Sequence, residues 1–183
     1  ARREYEAARA PVTLQPLESY AVDGAVPDKG STWHYPTESD GWFRIHNTIR
    51  AEMTKLAASL DACAKTGKPL PAWKVDAIKS YWSLHGALVH AHHAHEDDIF
   101  TPLLSRRCAL PPKLEIVHGD ILELMAAVDA AADALAPGAD LAPLAAAFDA
   151  YKASMEPHLA EEEAVCVPLM RAYFSFEEIS RVL

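Results

Sequence analysis

His92-His93-Ala94-His95-Glu96-Asp97-Asp98-Ile99-Phe100-Thr101-Pro102-Leu103-Leu104 is the stretch whose reading decides the fold. It returns, altered, as His158-Leu159-Ala160-Glu161-Glu162-Glu163-Ala164-Val165-Cys166-Val167-Pro168-Leu169-Met170. Both copies read His, three residues, Glu, an acidic residue, four more, then Pro-Leu and an apolar residue. On a helix, positions i and i+4 sit one above the other, about 6 Å apart between Cβ atoms. Each copy therefore aims one imidazole and one carboxylate in the same direction. Two such helices facing each other make a cage of nitrogen and oxygen donors.

The rest of the composition agrees with a helical protein. A chain of 183 residues, half of them apolar, is long enough to bury a core as one domain. Alanine is abundant, which favours helix, and no Asn-Gly or Asp-Gly hairpin separates alternating runs. A net charge of −9 leaves no basic stripe to replace phosphate counterions, so nucleic acid is not an expected partner. No apolar run approaches the roughly 20 residues of a membrane span. The three cysteines, Cys63, Cys108 and Cys166, are odd in number and lack CxxC spacing. They read as free thiols in a reducing compartment such as the cytoplasm. The chain opens on Ala1 rather than Met, which leaves room for an upstream leader.

Residues 1–39 are poor in periodicity and rich in turn formers, with a short helix expected over Ala1–Ala10. From Pro11 to Ser39 they read as an extended arm whose Tyr20, Trp33 and Tyr35 give it something to pack with. Residues 40–183 form the expected domain. Asp40 is an N-cap candidate for a first helix to about Ala64, in which Ile45, Ile49, Met53, Leu56 and Leu60 recur at the helical period. His46 lies beside that stripe, and Gly67 and Pro69 stop the helix. A second helix is predicted over Ala72–Arg106, with Pro102 kinking or shortening its end. The third, Lys113–Ala136, carries a single His118 and stops at Pro137-Gly138. The fourth spans Leu141–Phe174, and a short closing helix follows over Phe176–Leu183. Short connections between four long helices predict an all-α, antiparallel up-down four-helix bundle. A single-histidine helix followed by a His/Glu helix, twice over, suggests two related half-sites.

Four helices thus supply His46, His92, Glu96, His118, His158 and Glu162. A lone histidine beside an apolar stripe is usually a satisfied core residue, and only the repeated context lifts His46 and His118 above that reading. Imidazole with carboxylate and no thiolate suits iron, manganese or zinc. Six donors exceed the four of a closed zinc site and are a natural supply for two metals bridged by Glu96 and Glu162. Other metal motifs fail on spacing. Only Glu115-x-x-His118 fits the ExxH of ferritin-like bundles, and Asp97-Asp98-Ile99 after His95-Glu96 breaks the HExxH of zinc proteases. No GxSxG or P-loop is present.

These residues resemble the hemerythrin-like (HHE) domain, in which H … HxxxE … H … HxxxE surrounds a non-haem di-iron centre. The similarity runs over roughly Asp40–Phe174 and includes the acidic residue after each Glu and the later Pro-Leu. It implies two iron ions rather than zinc or manganese, with oxygen, peroxide or NO as the small ligand. Oxygen-carrying hemerythrins have a further histidine one turn after the third-helix His; here that position is Leu122. Glu115 or water could fill the vacancy, and reversible oxygen carriage is not carried over. What remains open is a sensor or binder of a diatomic or of iron, a redox enzyme acting on peroxide or oxygen, or a structural metal site. The protein partner, if there is one, is not legible.

The residues around the six have their own expectations. His85 lies about 10 Å up the axis from His92 at 1.5 Å per residue, too far for the same metals, and reads as a pocket group or a support for a ligand. His90, His93 and His95 are expected to point into solvent, as are Asp97, Asp98, Glu161 and Glu163. Glu163 keeps an alternative as a ligand, by likeness to hemerythrins proper.

Overall fold

The computed structural model of the chain describes residues 9–28 and 33–182. Its long helices are α1 (Gly41–Lys65), α2 (Ala72–His95), α3 (Pro112–Ala134) and α4 (Ala142–Tyr173), followed by the short α5 (Phe176–Ser180). A π-helical turn, Glu96–Phe100, and one more helical turn, Thr101–Leu104, prolong α2. Among the described residues there is no strand, only an isolated bridge between Ala21 and Cys108. The all-α expectation holds. The expected helix over Ala1–Ala10 falls mostly on residues 1–8, outside the described ones. No helix among the described residues is long and apolar enough to cross a membrane.

Local chemistry sets the helix ends. Asp40 Oδ1 accepts the backbone N–H of Trp42 at 3.1 Å, so Asp40 caps α1 as its residue type predicts. Gly67, with φ of +60°, lets the chain turn after α1, and Gly138, at +80°, does the same after α3. Pro112 opens α3, where a missing N–H costs nothing. Ser175 and Glu178 form a reciprocal capping box at the start of α5. The π turn has a cause as well. Pro102 has no N–H to donate, and its ring would press on the Asp98 carbonyl one turn back. The helix widens there, so that the N–H of Thr101 bonds the carbonyl of Glu96. α4 runs through Pro157 and Pro168 without such a turn.

The chain gathers into two compact units. Of the described residues, the first holds 9–28, 33–46, 92–118 and 158–182; the second holds 47–91 and 119–157. α1 and α3 begin in the first and end in the second, while α2 and α4 begin in the second and end in the first.

In the first unit the arm docks on the helices. Trp33 and Tyr20 are buried with Trp42, Leu104, Leu169 and Phe174. Trp33 Nε1 donates to the Phe174 carbonyl at 3.0 Å, and the Ala109 N–H donates to Tyr20 O at 2.7 Å. The Arg171 guanidinium lies over Trp33 and Tyr35 and donates to the Tyr35 carbonyl at 2.7 Å. In the second unit, Ile49, Met53, Leu56 and Leu60 from α1 are all buried, as their spacing predicts, with Trp82, Met125, Val128, Phe148 and Tyr151 also buried there; Ile45, the first residue of that stripe, lies in the first unit and is only half-buried.

Candidate metal centre

The six residues singled out from the sequence come together in the first unit, each less than a tenth exposed. α1 brings His46, α2 brings His92, the π turn brings Glu96, α3 brings His118, and α4 brings His158 and Glu162. The carboxylates sit between the imidazoles. Glu96 Oε1 is 3.4 Å from His92 Nε2 and 3.8 Å from His46 Nε2, while its Oε2 is 3.7 Å from His118 Nε2. Glu162 Oε1 is 3.3 Å from His158 Nε2 and 3.4 Å from His118 Nε2, while its Oε2 is 3.5 Å from His46 Nε2. Each carboxylate therefore offers one oxygen to the His46 side and the other to the His118 side.

Two histidines are held from behind. His118 Nδ1 lies 2.9 Å from Asp97 Oδ1, and His46 Nδ1 lies 3.0 Å from Glu163 Oε1. A carboxylate on Nδ1 leaves Nε2 as the free lone pair and fixes the ring's direction, the usual support of a metal-bound imidazole. The arrangement is reciprocal, because the acidic residue beside Glu96 holds the α3 histidine and the one beside Glu162 holds the α1 histidine. Asp97, 45 % exposed, keeps its expected solvent face while it holds His118; Glu163, 14 % exposed, and Glu161, 11 % exposed, correct the expectation that they are solvated. Each helix aims i+1 about a quarter turn from i, which brings the Asp97 and Glu163 carboxylates within reach of a neighbouring helix. Glu161 also finds a partner, the ammonium of Lys113.

Electrostatics make the cage costly without a cation. Burial and mutual repulsion push the Glu96 carboxyl above its usual range, and burial pushes Glu162 the same way. Burial and the neighbouring imidazoles pull His92 and His158 down to about 2. At His118, burial is outweighed by Glu162, Glu96 and Asp97, and the ring is held up at about 9. At His46, burial is likewise outweighed by Glu163 and Glu96. The Nε2 atoms of His46, His92 and His158, both oxygens of Glu96 and Oε2 of Glu162 are buried without a hydrogen bond. So many converging lone pairs cost several kcal/mol in an empty protein interior, and a cation between them satisfies all at once. The donor set fits a nitrogen- and oxygen-binding metal ion. Cys166, one turn past Glu162, is kept a neutral thiol by burial and by the two carboxylates, so no thiolate competes.

The three residues held as alternatives fall in different surroundings. Glu163 supports His46, as above. Glu115 is exposed and lines a cavity of about 160 Å³ that also reaches Glu96, His118 and Glu162. His85 belongs to the second unit, where its Nε2 lies 2.7 Å from the Tyr151 hydroxyl. Leu122, where a further histidine would stand, is 42 % exposed.

One histidine departs from the expected solvent-facing position. His90 and His95 are exposed as expected, whereas His93 is buried. Its ring stacks on His118 at 4.2 Å between centroids and lies 5.6 Å from that of His158. Its donor atom lies within 4.8 Å of theirs. Two candidate groups result, His46, His92, Glu96 and Glu162 in one and His93, His118 and His158 in the other. The signal available in the sequence was the His92-His93 pair itself, since a buried helix face more than 100° wide takes adjacent residues.

Fold and site thus define a class, all-α proteins that gather histidines and glutamates from four helices into a candidate cation cage. Comparison with known families agrees: residues 110–183 match the hemerythrin HHE cation-binding domain. The match contains His118, His158 and Glu162 and covers less than half of the chain; His46, His92 and Glu96 lie before it. No curated protein and no solved structure matches the chain.

Proposed function

We propose that the cage holds two iron ions bridged by Glu96 and Glu162, with His46 and His92 on one side and His118 and His158 on the other, and that it binds or reacts with oxygen, peroxide or NO. One observation carries the reading: each glutamate directs one oxygen to each histidine group. A single ion would use one oxygen of each and leave the others buried and unsatisfied. Iron, when bound, supplies reversible electron transfer and an open coordination position for a small ligand.

The chain's own residues set what reaches it. The cavity beside Glu96, Glu162 and His118 is walled by Trp42, Leu104, Leu110, Pro111, Leu114 and Cys166. At about 160 Å³ it is below the roughly 300–1,000 Å³ of pockets for larger ligands, so the ligand is a few atoms in size. Glu115 at the cavity and the chain's charge of −9 disfavour small anions and admit neutral oxygen, peroxide and NO. Trp42 Nε1 is buried without a hydrogen bond, in the wall of the cavity, and is the donor that would orient a bound oxygen atom. An access cavity supports an exchanging centre over a closed structural zinc site, which takes four protein ligands and no open position.

The test is metal content with an absorption spectrum, taken anaerobically and again after oxygen or peroxide. About two irons per chain, with near-ultraviolet charge-transfer bands appearing on oxidation, is the expected result. One zinc, or no spectral change, overturns the reading. The rate of peroxide loss in the same cuvette divides the function further: sustained turnover makes the protein an enzyme, and a stable reversible adduct makes it a binder or sensor.

A further inference from the structure

Resting on that reading, we propose that His93 is a third imidazole donor on the His118–His158 side, so that the histidine missing from α3 is replaced from α2. The position one turn past His118 cannot serve, because Leu122 is exposed. His93 is 4 % exposed, between the solvent-facing His90 and His95. Its donor atom and those of His118 and His158 lie within 4.8 Å of one another, and a turn of the His93 ring out of its stack on His118 would aim all three at one ion. The three ring centroids are 4.2, 4.8 and 5.6 Å apart, and the His118 and His158 planes are perpendicular. Two imidazoles bound at right angles to one ion, with metal–nitrogen distances of about 2.1 Å, have centroids about 4.7 Å apart. The His118–His158 pair, at 4.8 Å and 90°, matches that value, and the His93–His158 pair, at 5.6 Å and 79°, is somewhat wider. His46 and His92 have the same relation on their side, at 5.0 Å and 83°.

A purely structural role explains this cluster poorly. Three buried imidazoles in mutual contact repel one another when protonated. A cation shared by the three satisfies lone pairs that burial removes from water; both ring nitrogens of His158 lack a hydrogen bond. The consequence is asymmetry. With Glu96 and Glu162 common to both sides, His93 gives the His118 side one protein donor more than the His46–His92 side.

Cobalt(II) titration of the full chain tests this, because cobalt absorption reports coordination number without any turnover. In His93→Ala, one of two cobalt ions should bind at least about ten-fold more weakly, with an altered d–d spectrum. Added free imidazole should restore both, which a packing defect would not allow. His95→Ala, a neighbouring exposed histidine, should behave as wild type. If His93→Ala is unstable, His93→Gln, which keeps the volume and loses the imidazole, must show the same weakened ion. Two ions bound with unchanged affinity and spectrum in either variant overturn the proposal. If wild type takes only one cobalt, the two-ion reading falls separately. His93 is then still decided by whether that ion's affinity and spectrum change in the variant.

Discussion

Glu163 gives the sharpest single perturbation, because it lies next to a proposed bridging residue without being one. Its carboxylate is 3.0 Å from His46 Nδ1, the histidine is fully buried, and the glutamate side chain is only 14 % exposed. A charge-assisted hydrogen bond in such a place is worth about 1.5–3 kcal/mol, which a domain stable by about 5–15 kcal/mol survives losing. Residues that orient a metal-bound imidazole from behind change affinity by about 10–100-fold, or about 1.4–2.7 kcal/mol. Glu163→Ala should therefore keep both ions at saturating metal while weakening the ion held by His46 by that factor. Glu163→Gln, still an acceptor but neutral, should fall between. Glu161→Ala, which touches Lys113 instead, should leave affinity unchanged. Chelator competition reads the affinities. The metal-free protein gives a second reading by NMR. Burial pulls His46 down, and Glu163 and Glu96 overcome it to hold the ring above its ordinary value. Without Glu163, its titration should move to lower pH. Wild-type metal affinity in Glu163→Ala, equal to that of Glu161→Ala, refutes the reasoning.

Three further outcomes follow from the same geometry. Glu96→Ala combined with Glu162→Ala should lose at least one metal per chain by elemental analysis; full occupancy contradicts the bridging assignment. Leu122→His should leave metal content and spectrum as they are, since position 122 is exposed; a gained band or ion shows that α3 can still reach the site. His85 is pulled down to about 4 by burial, so the folded state resists protonating it while the unfolded chain, near 6.5, does not. Its contribution is complete above pH 6.5 and is lost as pH falls toward 4, to a total of about 3 kcal/mol. Replacing both partners, His85→Phe with Tyr151→Phe, should flatten urea midpoints across that range relative to wild type; parallel profiles count against it.

What could be read from the chain was whatever repeats along a helix. The stripe from Ile49 through Met53 and Leu56 to Leu60 and the two His-x3-Glu pairs express a period of three to four residues and are found where that period puts them, as is the Asp40 cap; only Ile45, at the head of the stripe, is half-buried. The ends of α3 and α4 fall within two residues of expectation. What escaped depends on a neighbouring helix. Asp97 and Glu163 look like solvated charge until His118 and His46 are brought beside them. His93 looks like the outer face of α2 until the ring of His118 is stacked on it. Pro102 announced a disturbance, but not that the helix would answer with a wider turn beginning at Glu96 itself.

The reciprocal support of the histidines bears on how such a chain could have arisen. Take α1 and α2 alone, with His46, His92, Glu96 and Asp97. Asp97 then has no histidine to hold, and His46 has no carboxylate behind it, because each one's partner is on α3 or α4. A helix pair by itself is an open circuit, and two identical pairs close it for each other. An ancestral pair would have worked only as a symmetric dimer, exchanging supports across its twofold axis. Fusion of two copies into one gene preserves every one of those exchanges from the first generation. Later divergence is then constrained two residues at a time, one in each half, with Asp97 tied to His118 and Glu163 to His46.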